Sequence, residues 1–206
     1  MSKYVVSCSP HLRDNVSTRS IMQDVCIAML PACIAGVLFF GYRAAIILVL
    51  SVAAAVLSEK FYCKAAHIKD TTGDFSAVVT GMLLAMNLPS TVPYWMPVVG
   101  SIIAILLCKM IFGGIGQNFA NPAITGRIFM LVAFAEAAGG AYSHKTVLEN
   151  SASVIETMAT PLNKINDASA KYLPPLKDMF LGTGNCGGAL GEVCSLALLL
   201  GFAYLL

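Results

Sequence analysis

Two acidic residues stand inside apolar runs of this sequence: Asp24 in IMQDVCIAML and Glu192 in GGALGEVCSLALLL. A carboxylate in a low-dielectric interior is costly and marks an ion or proton path unless it pairs with a base or caps a helix, so both are candidates for moving Na⁺ or H⁺. A second candidate is IFGGIGQNFANPAITGR, residues 111 to 127, with three glycines in four positions, then Gln117, Asn118 and Asn121. Asn121 before Pro122 predicts a helix N-cap followed by a first-turn proline. The stretch is either a turn leading into that helix or a re-entrant element whose free amides face a bound group. In DFSAVVTGMLLAMNLP, residues 74 to 89, Ser76 and Thr80 are spaced i, i+4 and share a helical face. There they cap a helix or let membrane helices approach closely. His11, His67 and His144 show no ligand-like spacing, and no metal site is expected.

These residues must be carried by membrane helices. Of 206 residues, 57% are hydrophobic and only 12% charged, about half the charge of a soluble domain, roughly 25%. The net charge of +2 comes from scattered basic residues, which argues against nucleic acid as a partner. The seven cysteines form no CxxC pair and lie mostly in apolar runs, where the residue behaves as a small hydrophobe. Five or six apolar runs could cross a bilayer: 21–40, 44–58, 75–88, 96–112, 122–141 and 189–206. The third is half a span, broken by Pro89 and Pro93. Such breaks survive at membrane depth only where protein or a cavity shields the backbone. Lys3, Arg13, Arg19, Lys60, Lys64, Lys69, Lys109 and Arg127 flank one set of run ends, and Arg43, Tyr94 and Trp95 the other. The positive-inside rule then makes the amino terminus cytoplasmic and the loop 142–180 extracytoplasmic. Lys109 and Glu136 are expected to snorkel to an interface.

The two motifs, with SPHLRDNVSTRSIMQDVCIAMLPA (residues 9 to 32), resemble the RnfD/NqrB family of membrane proteins in ion-translocating electron-transfer complexes. The shared signatures are D-x-S-A-apolar-V-T-G running into Leu88-Pro89, and F-G-G-apolar-G-Q-N followed by N-P-A. The resemblance spans essentially the whole chain, with Ala120 standing where relatives more often carry an aromatic residue. The chain opens almost directly on Ser9-Pro10-His11, which looks more like RnfD than the longer-leadered NqrB.

The resemblance also gives a meaning to the polar loop SVIETMATPLNKINDASAKY, residues 153 to 172. In the family, a threonine of an S/T-x-A-T motif carries FMN through a phosphoester bond. Thr157, Met158, Ala159 and Thr160, followed by Pro161, match it and make Thr160 the expected acceptor. Met158 and Val154 depart from the small residue and the Asp usual at those positions. Implied partners are a flavin transferase and the other components of an Rnf complex in a bacterial or archaeal inner membrane: the membrane proteins RnfA and RnfE, the flavoprotein RnfG, and the cytoplasmic RnfB and RnfC. Some relatives also hold a non-covalent riboflavin, for which no residue here marks the site.

The implied fold is an all-α polytopic membrane protein with short and re-entrant helices in an inverted-repeat, urea-channel-like architecture. Residues 1–20 would form a cytoplasmic segment, 21–141 a first repeat with its Gly-rich re-entrant segment near 112–122, 142–180 the flavin-bearing loop, and 181–206 the start of a second repeat. Relatives are longer, so the chain is expected to be part of a longer polypeptide. The function implied is electron transfer from ferredoxin to NAD⁺ coupled to Na⁺ or H⁺ movement. The rivals are NqrB of the Na⁺-translocating NADH:quinone reductase and a non-redox channel or transporter component.

Overall fold

Ser17 opens the first helix by accepting a hydrogen bond from the Ser20 amide, 3.2 Å, and α1 then runs from Thr18 to Phe40. Gly41 turns the chain directly into α2, Tyr42–Ala65. Both helices are long and apolar enough to cross a membrane. At 1.5 Å per residue each spans about 35 Å, more than the roughly 30 Å hydrocarbon core. The computed structural model describes residues 16–138, 175–182 and 188–206. The expected flavin motif, Thr157 to Pro161, lies outside the described residues, as does the side chain of Glu136.

The next elements are shorter. A 3₁₀ turn, Thr72–Asp74, leads into α3, Ser76–Met86, about 16 Å long and so half a span. Helix α4, Trp95–Ile103, continues without interruption as a π-helical segment, Ala104–Met110. After the Gly-rich loop come α5, Pro122–Ala133, and the short α6, Ala135–Ala138. Helices α7, Leu176–Leu181, and α8, Ser195–Leu205, complete the described chain. All described elements are helical.

Three expected spans differ in detail. The run 122–141 breaks at Phe134, whose backbone leaves the helical region. The run 96–112 changes from α to π winding at Ala104. In the run 189–206, helix begins only at Ser195, because residues 188–194 turn back on themselves to cover the broken end of α3. There Leu190 N donates to Leu88 O at 3.1 Å and Gly191 N to Met86 O at 2.9 Å. Leu88, Pro89 and Val92 are fully buried. These bonds satisfy carbonyls that a half-helix otherwise leaves open at a depth where water cannot reach them.

Close packing holds the bundle, since lipid offers no hydrophobic drive between helices. Gly81 of α3 lies so near α2 that a Cβ there would stand 2.7 Å from Val52 Cα. The absent side chain lets Ser51 Oγ donate to Gly81 O at 2.8 Å while meeting Ser101 Oγ of α4 at 2.9 Å. One apolar cluster gathers Phe40, Ile47, Leu84, Leu88, Met96 and Met130. A smaller one, including Ala55, Ala77 and Ile105, lies nearer the other end of α2. Helix α8 packs along α1, with Gly201 against the Ala28 carbonyl.

Candidate functional site

Glu59 sits in the last turns of α2, just past the apolar run, and is 0% exposed. The chain that follows is folded back over it by local bonds. Asp70 accepts from the Thr72 amide at 3.0 Å and the Thr72 hydroxyl at 2.6 Å, fixing the 3₁₀ turn. These bonds, first the side-chain one, hold the Asp70 carboxyl below its ordinary pKa of 3.8. Phe75 adopts a left-handed conformation before α3, with the Arg19 guanidinium 5.5 Å from its ring centre. The fold-back brings Thr71 Oγ1 into a short hydrogen bond with Glu59 Oε1 and sets Ser76 at the head of α3.

Lys109 completes the cluster. Its Nζ lies 2.6 Å from Glu59 Oε1 and 2.6 Å from Ser76 Oγ, and the residue is 1% exposed. Glu59 Oε2 is buried without a partner in the described structure. The π winding explains how Lys109 reaches this place. Bonds from Ile111 N to Leu106 O and from Gly114 N to Lys109 O each span five residues. A π turn advances each residue by about 80°, against 100° in an α-helix. Five residues beyond the buried Ala104, Lys109 therefore falls about 40° from it, whereas α winding would carry it about 140° away.

The expectation that Lys109 snorkels is thus overturned. It points inward because Glu59 and Ser76 satisfy its ammonium, and removing either partner of a buried pair strands a charge. It also ceases to count as a basic residue flanking a span. Neither member of the pair was singled out as a site from sequence. The signal present was a lysine followed by Met-Ile-Phe in an apolar run, which needs a counter-charge.

The second feature is a cavity of about 400 Å³ between α1, α3 and the Gly-rich loop. Ser76, Thr80, Lys109, Asn118 and Asn121 supply its polar lining, and Val79, Leu83 and Ile115 are among its apolar walls. Both sequence motifs therefore converge here. The loop is shaped by Gly113, Gly114 and Gly116, all with φ between 86° and 110°, values that favour a residue without Cβ. Phe112 and Phe119 close it with ring centres 4.9 Å apart. In the amide orientation that satisfies both groups, Asn118 donates to Cys108 O at 3.2 Å and Gly114 O at 3.0 Å. Asn121 caps α5 as its spacing predicts, with Oδ1 accepting from Ala123 N at 3.0 Å.

Asp24 and Glu192 are not brought together, and neither lines this cavity. Asp24 is exposed on α1 and accepts from Tyr204 Oη at 3.4 Å. Glu192 is exposed in the turn before α8, where its Oε2 accepts from Ala189 N at 3.3 Å. Arg43 meets the Tyr94 ring at 5.2 Å, and Trp95 packs edge-on against Phe134 at 4.9 Å, at the end of the bundle away from the cavity.

Residues 5–206 match the model of the NQR2, RnfD, RnfE family. The chain belongs to this family. It is 41% identical over 201 residues to the D subunit of the Na⁺-translocating ferredoxin:NAD⁺ oxidoreductase complex of Acetobacterium woodii, covering 98% of this chain and 61% of that protein. It is 38% identical over 213 residues to the D subunit of the proton-translocating ferredoxin:NAD⁺ oxidoreductase complex of Clostridium ljungdahlii, covering 98% and 62%. The D subunit of an ion-translocating oxidoreductase complex from Yersinia enterocolitica is 39% identical over 131 residues, covering 63% and 37%. The chain thus spans about three fifths of the length of the first two relatives.

Proposed function

We propose that this chain is the FMN-carrying membrane component of an Rnf-type complex, passing electrons on the way from ferredoxin to NAD⁺ in step with ion movement. The observation that carries this reading is the 41% identity, sustained over 98% of the chain, to the D subunit of such a complex. The relatives from Acetobacterium woodii and Clostridium ljungdahlii are named for different ions, Na⁺ and the proton, at nearly equal identity. The coupling ion in this reading is Na⁺ or H⁺.

In this reading Thr160 is the phosphoester acceptor for FMN, with Thr157, Ala159 and Pro161 forming the motif that the flavin transferase recognises. The loop faces outside the cytoplasm. Arg19, Lys60, Lys64 and Lys69 gather at the end of the bundle that holds the cavity, and Tyr94 and Trp95 at the opposite end, which supports a cytoplasmic amino terminus. RnfA, RnfB, RnfC, RnfE and RnfG are the partners assigned to it. Residues 21–141 would make the first of two inverted repeats. Asp24 and Glu192 are the acids assigned to the ion path.

The cavity supports a place for a second, non-covalent flavin, riboflavin. Its volume falls within the roughly 300–1,000 Å³ of small-molecule sites. Hydroxyls of Ser76 and Thr80, the Asn121 amide and the Lys109 ammonium suit the mixed carbonyl and N–H edge of an isoalloxazine, and Val79, Leu83 and Ile115 suit its faces. A bound flavin supplies one- or two-electron transfer. The chain's own part would be to hold the ring beside α3 and present hydrogen-bonding groups to its polar edge.

Two measurements test the reading. The chain produced in its complex with the transferase should fluoresce after denaturing electrophoresis, and Thr160→Val should abolish that signal. Fluorescence that persists refutes Thr160 as acceptor. Thr80→Leu, which fills the cavity, should remove acid-extractable riboflavin while sparing the covalent FMN. Unchanged riboflavin refutes the cavity as its site.

A further inference from the structure

Lys109 lines the cavity whereas Glu59 does not. The buried pair is therefore a dipole whose positive end faces the cavity and whose negative end is backed by Thr71 and, 3.7 Å from the Thr71 hydroxyl, Cys63. Both side chains are shielded from solvent, at 2% and 0% exposure, so their field is far less screened than that of surface charges. Ser76 Oγ accepts from the same ammonium and carries its orientation to the head of α3, at the cavity wall.

We propose that Lys109, held in place by Glu59, sets the reduction potential of the flavin in this cavity. The inference rests on the reading of the cavity as a riboflavin site. Uptake of two electrons and one proton by the oxidised ring yields a reduced ring with one net negative charge. The electrons come from the reduced partner in the proposed chain of transfer and the proton from water. A fixed positive charge at the cavity wall favours that product over the neutral oxidised ring, and so raises the potential. Glu59 acts through Lys109 as a positioning residue: it fixes the ammonium and offsets part of its field. While Ser76 Oγ still holds the ammonium in place, the two charges of the pair act on the potential with opposite signs, which a purely structural bridge would not do.

The test is spectroelectrochemical titration of the purified complex, following the flavin component that disappears in Thr80→Leu. Lys109→Met should lower the potential of that component, with the reduction equilibrium falling at least tenfold, about 30 mV for a two-electron couple. Glu59→Gln should raise it. The double variant, which keeps volume and removes both charges, should lie below the parent by less than Lys109→Met does. Shifts of the same sign in both single variants would overturn the proposal. So would an unchanged potential in Lys109→Met with riboflavin still bound. If the single variants do not assemble, the double variant decides: a potential equal to the parent's refutes the role of Lys109. Riboflavin that survives Thr80→Leu instead sinks the underlying site reading, a distinct outcome.

Discussion

Replacing Gly81 by alanine tests how α3 is held. The added carbon would stand 2.7 Å from Val52 Cα and 3.0 Å from Ser51 O, both backbone atoms that cannot swing aside. Ordinary contact begins at 3.4 Å, so α3 must retreat by about 0.7 Å, an overpacking strain of about 1–3 kcal/mol. The retreat stretches the 2.8 Å bond from Ser51 Oγ to Gly81 O to about 3.5 Å, beyond hydrogen-bonding range. Weakening that buried bond costs about 1 kcal/mol more. The total, about 2–4 kcal/mol, lowers the folded-to-unfolded ratio by roughly 30- to 1,000-fold. Because Thr80 precedes Gly81 and lines the cavity, the same shift should lower riboflavin content. Gly73→Ala is the control, since nothing lies within 4 Å of a Cβ there. Denaturant titration of the purified complex in detergent, with flavin extraction, reads both effects. A Gly81→Ala complex as stable as Gly73→Ala, with full flavin content, would refute the close-packing argument.

Glu59→Gln and Lys109→Met should each destabilise the complex by about 3–5 kcal/mol, because each leaves a buried charge alone; the double variant should recover most of that loss in the same titration. Asn121→Ala should cost about 1 kcal/mol through loss of the α5 cap, and should weaken riboflavin retention, measured by acid extraction, because Asn121 also lines the cavity. The Asp70 carboxyl is held below its ordinary value, so its bond to the Thr72 amide is intact at neutral pH and is lost as pH falls through the lowered folded-state value. Hydrogen exchange at Thr72 should show that acid-side loss of protection, and Asp70→Asn should abolish its pH dependence.

Much of the chain's local organisation was legible in the sequence. Apolar run length predicted α1 and α2 as membrane-spanning helices, and Pro89 with Pro93 marked the break after α3. Asn121 and Pro122 announced the start of α5, because a cap and a first-turn proline act within a few residues. The family motifs around Ser76 and Asn118 are likewise continuous stretches. Contacts between distant segments were another matter. Lys109 read as a snorkelling residue because nothing nearby in sequence reveals an acid fifty positions earlier, and the π winding that turns it inward leaves no signature in hydrophobic periodicity. The run from residue 189 read as continuous helix because apolarity does not distinguish helix from a turn that caps another helix's carbonyls.

Sequence alone therefore determined the membrane class, the helical segments and the two motifs, since these follow from hydropathy, caps and neighbours three or four residues apart. Tertiary structure alone decided that both motifs share one cavity, that Glu59 and Lys109 form its buried dipole, and that residues 188–194 close the open end of α3. Each of those depends on which helix faces meet, and helix packing sets that geometry across separations of 33 to more than 100 residues.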